Sequence, residues 1–188
     1  MRGNVSLSRD LLVERLAIPR THHRDVLLAD LHDDWQWPLD LGVDWFVAFI
    51  AADARGTPDS LIRAFVREML NHSCTYVCAW GPECERVEVL SDLAYLDVTD
   101  AEGEAAVPFL MTTGHTSESL AAALWFASTT AFPGDGPDHP SYQDRPTAFV
   151  ALATPHYLAE VRALLLDPER LDRESDDDEA SGRSDLIL

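Results

Sequence analysis

Four times along this chain a short apolar run gives way to a segment with helical hydrophobic spacing, and that alternation restricts the fold more than any other feature. WFVAFIAAD (45–53) is apolar almost throughout, as a strand covered on both faces must be. TPDSLIRAFVREMLNHS (57–73) opens with Thr57 and Pro58, a capping residue and a first-turn proline. Its Leu61, Ile62, Phe65, Val66, Met69 and Leu70 then recur on one helical face. CTYVCAW (74–80) reads as a second strand stopped by Gly81-Pro82, and ECERVEVLSDLAYLD (83–97) as a weaker helix. VPFLMTT (107–113) and SESLAAALWFASTTAF (117–132) repeat the pair, as do TAFVALAT (147–154) and PHYLAEVRALLLD (155–167).

Such alternation predicts a parallel sheet with right-handed crossovers. The expected fold is a small doubly wound α/β domain, Rossmann-like or flavodoxin-like, over residues 45–167. It should hold about four strands, which we number from residue 45 onward and place in the order 2-1-3-4. Residues 1–44 read as an N-terminal extension, with a capped helix at SLSRDLLVERLA (6–17). HDDWQWPLDLG (32–42) reads as a loop whose tryptophans pack on the domain. A length of 188 residues suits one domain with a sizeable core. From Asp167 to Asp185 there are nine acidic residues and three arginines, a net of −6. Residues 168–188 are therefore expected to form a disordered acidic tail ending in a solvated Leu186-Ile187-Leu188.

Charge narrows the partners. The net charge is −19, from 33 acidic against 14 basic residues, and every basic residue is arginine. A chain of that sign offers no field for phosphates, which argues against nucleic acid and favours a basic protein partner. No run of 18 apolar residues is present, so no membrane span is expected. Arg9, Asp10, Glu14 and Arg15 interrupt the first 20 residues, so no signal peptide is expected and the location is read as cytoplasmic.

The three cysteines, Cys74, Cys78 and Cys84, suit free thiols. Cys74 and Cys78 on one strand would lie about 13 Å apart, too far for two ligands of one zinc with bonds of about 2.3 Å. No metal site is expected. Ligands of open parallel sheets bind beyond the carboxyl ends of the strands, where strand order reverses. In the order 2-1-3-4 that crevice lies between strands one and three, so Asp53 would face His115. Cys84, in the first turn of the second helix, would join them as nucleophile beside base and orienting acid. Its strand lies about 9–10 Å from that of His115 in this order. His156, after Pro155, would line the same crevice, whereas His22, His23 and His139 read as solvated.

The polar string Thr112-Thr113-Gly114-His115-Thr116-Ser117 reads as a tight turn entering a helix. Free N–H groups at a helix start suit a phosphate, so Thr112, Thr113, Gly114, His115 and Thr116 are the candidate ligand-binding residues. Equally, Thr116 or Ser117 would cap the helix, with Gly114 in the bend. TTGHTSESLAAAL resembles the phosphate loop of flavodoxins, which implies a flavin mononucleotide phosphate. In flavodoxins the loop follows the first strand, and here it follows the third. No cofactor is expected on the residues themselves.

CTYVCAWGPECERVE (74–88) together with VPFLMTTGHTSESLAAALWF (107–126) resembles a family of small bacterial α/β domains of unknown function. That family has a Trp-Gly-x-x-Cys segment and a Met-Thr-Thr-x-His turn before a helix ending Ala-Leu-Trp-Phe. The matching positions are Trp80, Gly81, Cys84, Met111, Thr112, Thr113, His115, Glu118, Leu120, Ala123, Leu124, Trp125 and Phe126. The resemblance implies the fold and the extent of the domain, and supplies no activity. No hydrolase elbow, Walker loop, GxGxxG or HExxH motif occurs. The leading expectation is a non-catalytic cytoplasmic domain that binds a protein partner in a regulatory, accessory or immunity-type role. Loop 133–146 and the acidic tail are its candidate contacts. The alternative is a small enzyme or phosphate- or nucleotide-binding domain built on Asp53, Cys84, Thr113 and His115.

Overall fold

The computed structural model describes residues 13–16, 24–32, 34–37, 43, 45–103, 107–132 and 148–184. In chain order the elements are β1 (Val13–Leu16), β2 (Val26–Asp30), β3 (Phe46–Ala51), α1 (Asp59–Asn71), β4 (Cys74–Trp80), α2 (Cys84–Glu102), β5 (Met111–His115), α3 (Leu120–Thr129), β6 (Ala148–Ala153), α4 (Pro155–Leu166) and α5 (Pro168–Ser184). They form a mixed α/β fold around one six-stranded sheet in the order β1-β2-β6-β3-β4-β5. Every neighbouring pair is parallel except β1 and β2.

The apolar runs are strands for the reason anticipated, because both faces of the sheet are covered. Phe46, Ala48 and Ile50 of β3 pack with Ile62, Phe65 and Met69 of α1 and with Val87 and Leu90 of α2. Val47, Phe49 and Ala51 point the other way, onto Leu124 of α3 and onto Val161 and Leu164 of α4. Trp35 and Trp37 are buried on the first face against Phe65, and Trp37 also stacks on Phe46, as the reading of 32–42 anticipated.

Four expectations need correction. The sheet has six strands rather than four, and the strands at 46–51, 74–80, 111–115 and 148–153 run 4-1-2-3 rather than 2-1-3-4. β2 completes the sheet beside β6, so Val26, Leu28 and Ala29, assigned to an extension, are core. Val13–Leu16, expected in a helix, are a strand antiparallel to β2; the alternative to a lone helix was an unpaired sheet edge, which sequence periodicity does not reveal. Finally, Pro168–Ser184 form a helix rather than a disordered tail. Leu171 is buried there, Asp172 accepts a hydrogen bond from the Trp125 indole at 3.0 Å, and Asp167 accepts one from the Arg170 N–H at 3.0 Å. Loop 133–146, His22, His23, His139 and residues 186–188 lie outside the described residues.

β4 carries one local irregularity with chemical weight. Its pairing with β3 slips between Phe46 and Val47, so Thr75 is an extra residue whose hydroxyl donates to the Phe46 carbonyl at 3.0 Å. The slip sends Cys74 to one face of the sheet and Cys78 to the other. Burial pushes both thiols up to about 12, and Cys84 is only 2% exposed. Native protein is therefore expected to resist alkylation by iodoacetamide at pH 8 at all three cysteines, and to take up three labels once unfolded. Intact-mass spectrometry reads the result, and rapid native labelling of Cys84 would contradict it.

Candidate functional site

The corrected strand order moves the reversal point. β3, β4 and β5 step to one side and β6 lies on the other side of β3, so the crevice falls between β3 and β6. Asp53 stands there, but it faces His156 rather than His115, because β4 separates β3 from β5. Arg55 claims Asp53 with a fork of hydrogen bonds, Nε to Oδ1 at 2.9 Å and Nη2 to Oδ2 at 2.5 Å. These bonds, and secondarily the nearby charges of Arg55 and His156, hold the Asp53 carboxyl down at about 2.

A carboxylate held below its ordinary value contributes stability above that ordinary value, near pH 4, and loses it as pH falls toward 2. Arg55→Ala is expected to raise the Asp53 midpoint part of the way back toward the ordinary carboxylate value, because the bond from the backbone N–H of residue 55 at 3.1 Å and the charge of His156 remain. A carboxyl-detected NMR titration measures it, and an unmoved midpoint would disprove the assignment.

From the crevice a line of aromatic and ionisable side chains crosses the carboxyl ends of the strands. The His156 ring meets Tyr157 edge-on at 4.6 Å, and Tyr157 meets Trp80 at 5.1 Å. The Trp80 indole N–H donates to the Glu118 carbonyl at 2.9 Å. Beyond it, His115 Nδ1 lies 2.5 Å from Glu118 Oε2 and Nε2 lies 3.2 Å from Thr113 Oγ1. His115 is 6% exposed, with its ring 5.1 Å from that of Phe126.

The expected turn is therefore mostly a strand. Thr112, Thr113, Gly114 and His115 belong to β5, and only Thr116 and the residues after it form the bend. The cap of α3 is neither Thr116 nor Ser117 but Ser119, whose side chain accepts from the Ala122 N–H at 3.1 Å. Strand alternation then divides the candidates. Thr112 faces α2 and donates to Asp92 at 2.7 Å, and Gly114 passes so close to α2 that an added Cβ would lie 3.2 Å from the Cα of Glu85. Thr113 and His115 face the α3 side, as Tyr76 and Cys78 of the adjoining strand do.

Cys84 begins α2 as anticipated, but it packs with the α1–α2 core, on the opposite face from His115. Its thiol points to Thr116 Oγ1 at 3.8 Å, which in turn donates to Glu85 Oε1 at 2.9 Å. Asp53, Cys84 and His115 are thus not brought together. Among the described residues no group of three or more His, Cys, Asp or Glu side chains is placed to hold a metal ion. Sequence reasoning missed Tyr157 and did not connect Trp80 or Glu118 with His115; the signal for the last was present as His-x-x-Glu, at a spacing that closes a bend.

The flank of the site is the outer side of α2. Val89, Leu93 and Leu96 are 55%, 40% and 51% exposed, and at 100° per residue they form one stripe. Phe109, before β5, is exposed too and rests edge-on against Tyr95. Beside the stripe, on the β5 side, run Glu85, Glu88 and Asp92. Other carboxylates here are neutralised: Asp59 and Glu83 by Arg86, Asp97 by Arg63 and Arg67. Glu85, Glu88 and Asp92 pair with no cation among the described residues. A separate groove of about 300 Å³, lined by Ser119, Leu120, Ala121, Glu160, Leu164 and Glu174, lies where α3, α4 and α5 meet.

One mostly parallel sheet with helices on both faces, and ionisable side chains along its carboxyl edge, defines the class as mixed α/β. A family model described as a domain of unknown function, DUF7684, matches residues 26–168, and the chain belongs to that family. The match starts at the first residue of β2, which the sequence had placed outside the domain. No curated protein and no solved structure matches the chain. No helix among the described residues is long and apolar enough to cross a membrane.

Proposed function

We propose that this is a protein-binding domain without catalysis of its own, cytoplasmic and regulatory, accessory or immunity-type in role, on a Rossmann-like framework. The observation that carries the reading is the exposed stripe of Val89, Leu93 and Leu96 along α2. Helices that face only water place polar residues there, and aligned aliphatic side chains mark a contact surface. The separation of Asp53, Cys84 and His115 supports the same reading. The test is affinity capture from the native cell extract with wild type, the double variant Leu93→Glu/Leu96→Glu and His115→Ala, each verified as folded by circular dichroism. A protein retained by wild type and His115→Ala but lost by the α2 variant is the expected result. Identical capture by all three would refute it.

One observation favours a second reading, a hydroxyl-based enzyme or phosphate-binding site. Thr113, His115 and Glu118 are linked in the sequence hydroxyl, imidazole, carboxylate, the arrangement by which a base activates a nucleophile. Thermal shift against nucleotides, sugar phosphates and inorganic phosphate tests it. A ligand at about 100 times its Kd stabilises by about 2.7 kcal/mol, and on this reading the shift disappears in Thr113→Val and His115→Ala. Absence of any shift would leave the linkage as a satisfied buried histidine.

A further inference from the structure

β5 is the last strand of the sheet, and its only ladder partner among the described residues is β4. Alternate backbone N–H and C=O groups of such a strand point outward and template another strand. The surroundings of that edge differ on its two faces. Toward α2 the edge presents Thr112 and Gly114, and above them stand Glu85, Glu88 and Asp92, held in place by Thr116, by close packing and by Thr112. Toward α3 it presents Met111 and Thr113, with half-buried Phe126 of α3 on that face.

We propose that an extended segment of alternating basic and apolar residues, supplied by a protein partner, adds to β5 as a seventh strand. The proposal rests on the protein-binding reading and specifies its mode. Side chains of an added strand alternate between the faces. One set meets the unpaired carboxylates of α2, with the stripe of Val89, Leu93 and Leu96 receiving their aliphatic stems. The other set meets Met111 and Phe126. A second copy of this chain does not fit the edge. Pairing β5 with β5 would set two rows of Glu85, Glu88 and Asp92 side by side in a chain already at −19, and like charges so placed repel.

The test uses the full-length protein and synthetic arginine–valine peptides of about eight residues, near the length of an edge strand. Fluorescence anisotropy compares the alternating peptide, a block peptide of identical composition, and the alternating peptide N-methylated at every second amide. The alternating peptide is expected to bind wild type at least about tenfold more tightly than either control. The folded variant Glu85→Gln/Glu88→Gln/Asp92→Asn is expected to lose a similar factor. Equal binding of all three peptides, binding unaffected by the variant, or no binding would overturn strand addition. A dimer in light scattering that dissociates on Met111→Arg would overturn it in favour of a second copy. If peptides fail while Leu93→Glu/Leu96→Glu still abolishes capture of a cellular partner, strand addition is overturned and the protein-binding reading stands.

Discussion

Gly81→Ala is expected to destabilise the protein by about 3 kcal/mol, a fall of about 9 °C in Tm. Gly81 has φ +110°, a region closed to side chains, and a Cβ there would overlap the carbonyl oxygen of Ala52 and sit 3.1 Å from its carbon. Neither obstacle relaxes, because both atoms are backbone at the joint of β3, β4 and α2. The Ala52 N–H donates to the Trp80 carbonyl at 3.1 Å, and the Ala54 N–H to Pro82 at 3.1 Å. Arg86 draws the same region tight through the carbonyls of Ala54 and Thr57. Gly56→Ala is the internal control. Its φ is +79° but nothing lies within 4 Å of the added Cβ, so about 1 kcal/mol is expected. Equal melting temperatures for the two variants would show that the close approach is not a constraint.

Arg24→Met should cost about 2–3 kcal/mol. Arg24 is 8% exposed, and burial pushes its guanidinium down to about 10, so the charge persists at neutral pH. Instead of a carboxylate it meets the carboxyl end of α3, donating to Ala131 O at 2.9 Å and to Ser128 O at 3.4 Å, with Phe132 4.0 Å from the guanidinium carbon. The negative end of the helix dipole compensates the cation, and methionine would leave those carbonyls without their donor. Chemical denaturation of Arg24→Met and Arg24→Lys measures the effect. Lysine keeps the charge but not the fork, so only partial recovery is expected. A wild-type midpoint for Arg24→Met would exclude the capping role.

The strands and helices from residue 45 onward were legible because burial on both faces writes itself as unbroken apolar runs. Strand order was not. Nothing in WFVAFIAAD, CTYVCAW or VPFLMTT says which lies beside which, and the misplaced order carried Asp53 into apparent contact with His115. β2, VLLAD, is apolar up to its last residue and legible in principle, but the polar context around it led it to be counted with the extension. The helix at 168–184 was announced by Asp167-Pro168-Glu169, a cap, a first-turn proline and an acidic first turn. Its later acidic run outweighed that signal. At the site, Thr112 to His115 look like a turn because glycine and hydroxyls favour turns, whereas Gly114 is there to let a strand approach a helix.

The two edges of the sheet are unlike. β1 ends one side as a four-residue antiparallel strand whose Glu14 and Arg15 are engaged by Arg162 and Asp25, while β5 ends the other with β4 as its ladder partner among the described residues. If a guest strand adds to β5 and not to the ion-paired β1, the complex ends where it begins, with one guest per host. On the strand-addition proposal the molecule would be a stopper for a foreign strand rather than a link in a chain of them.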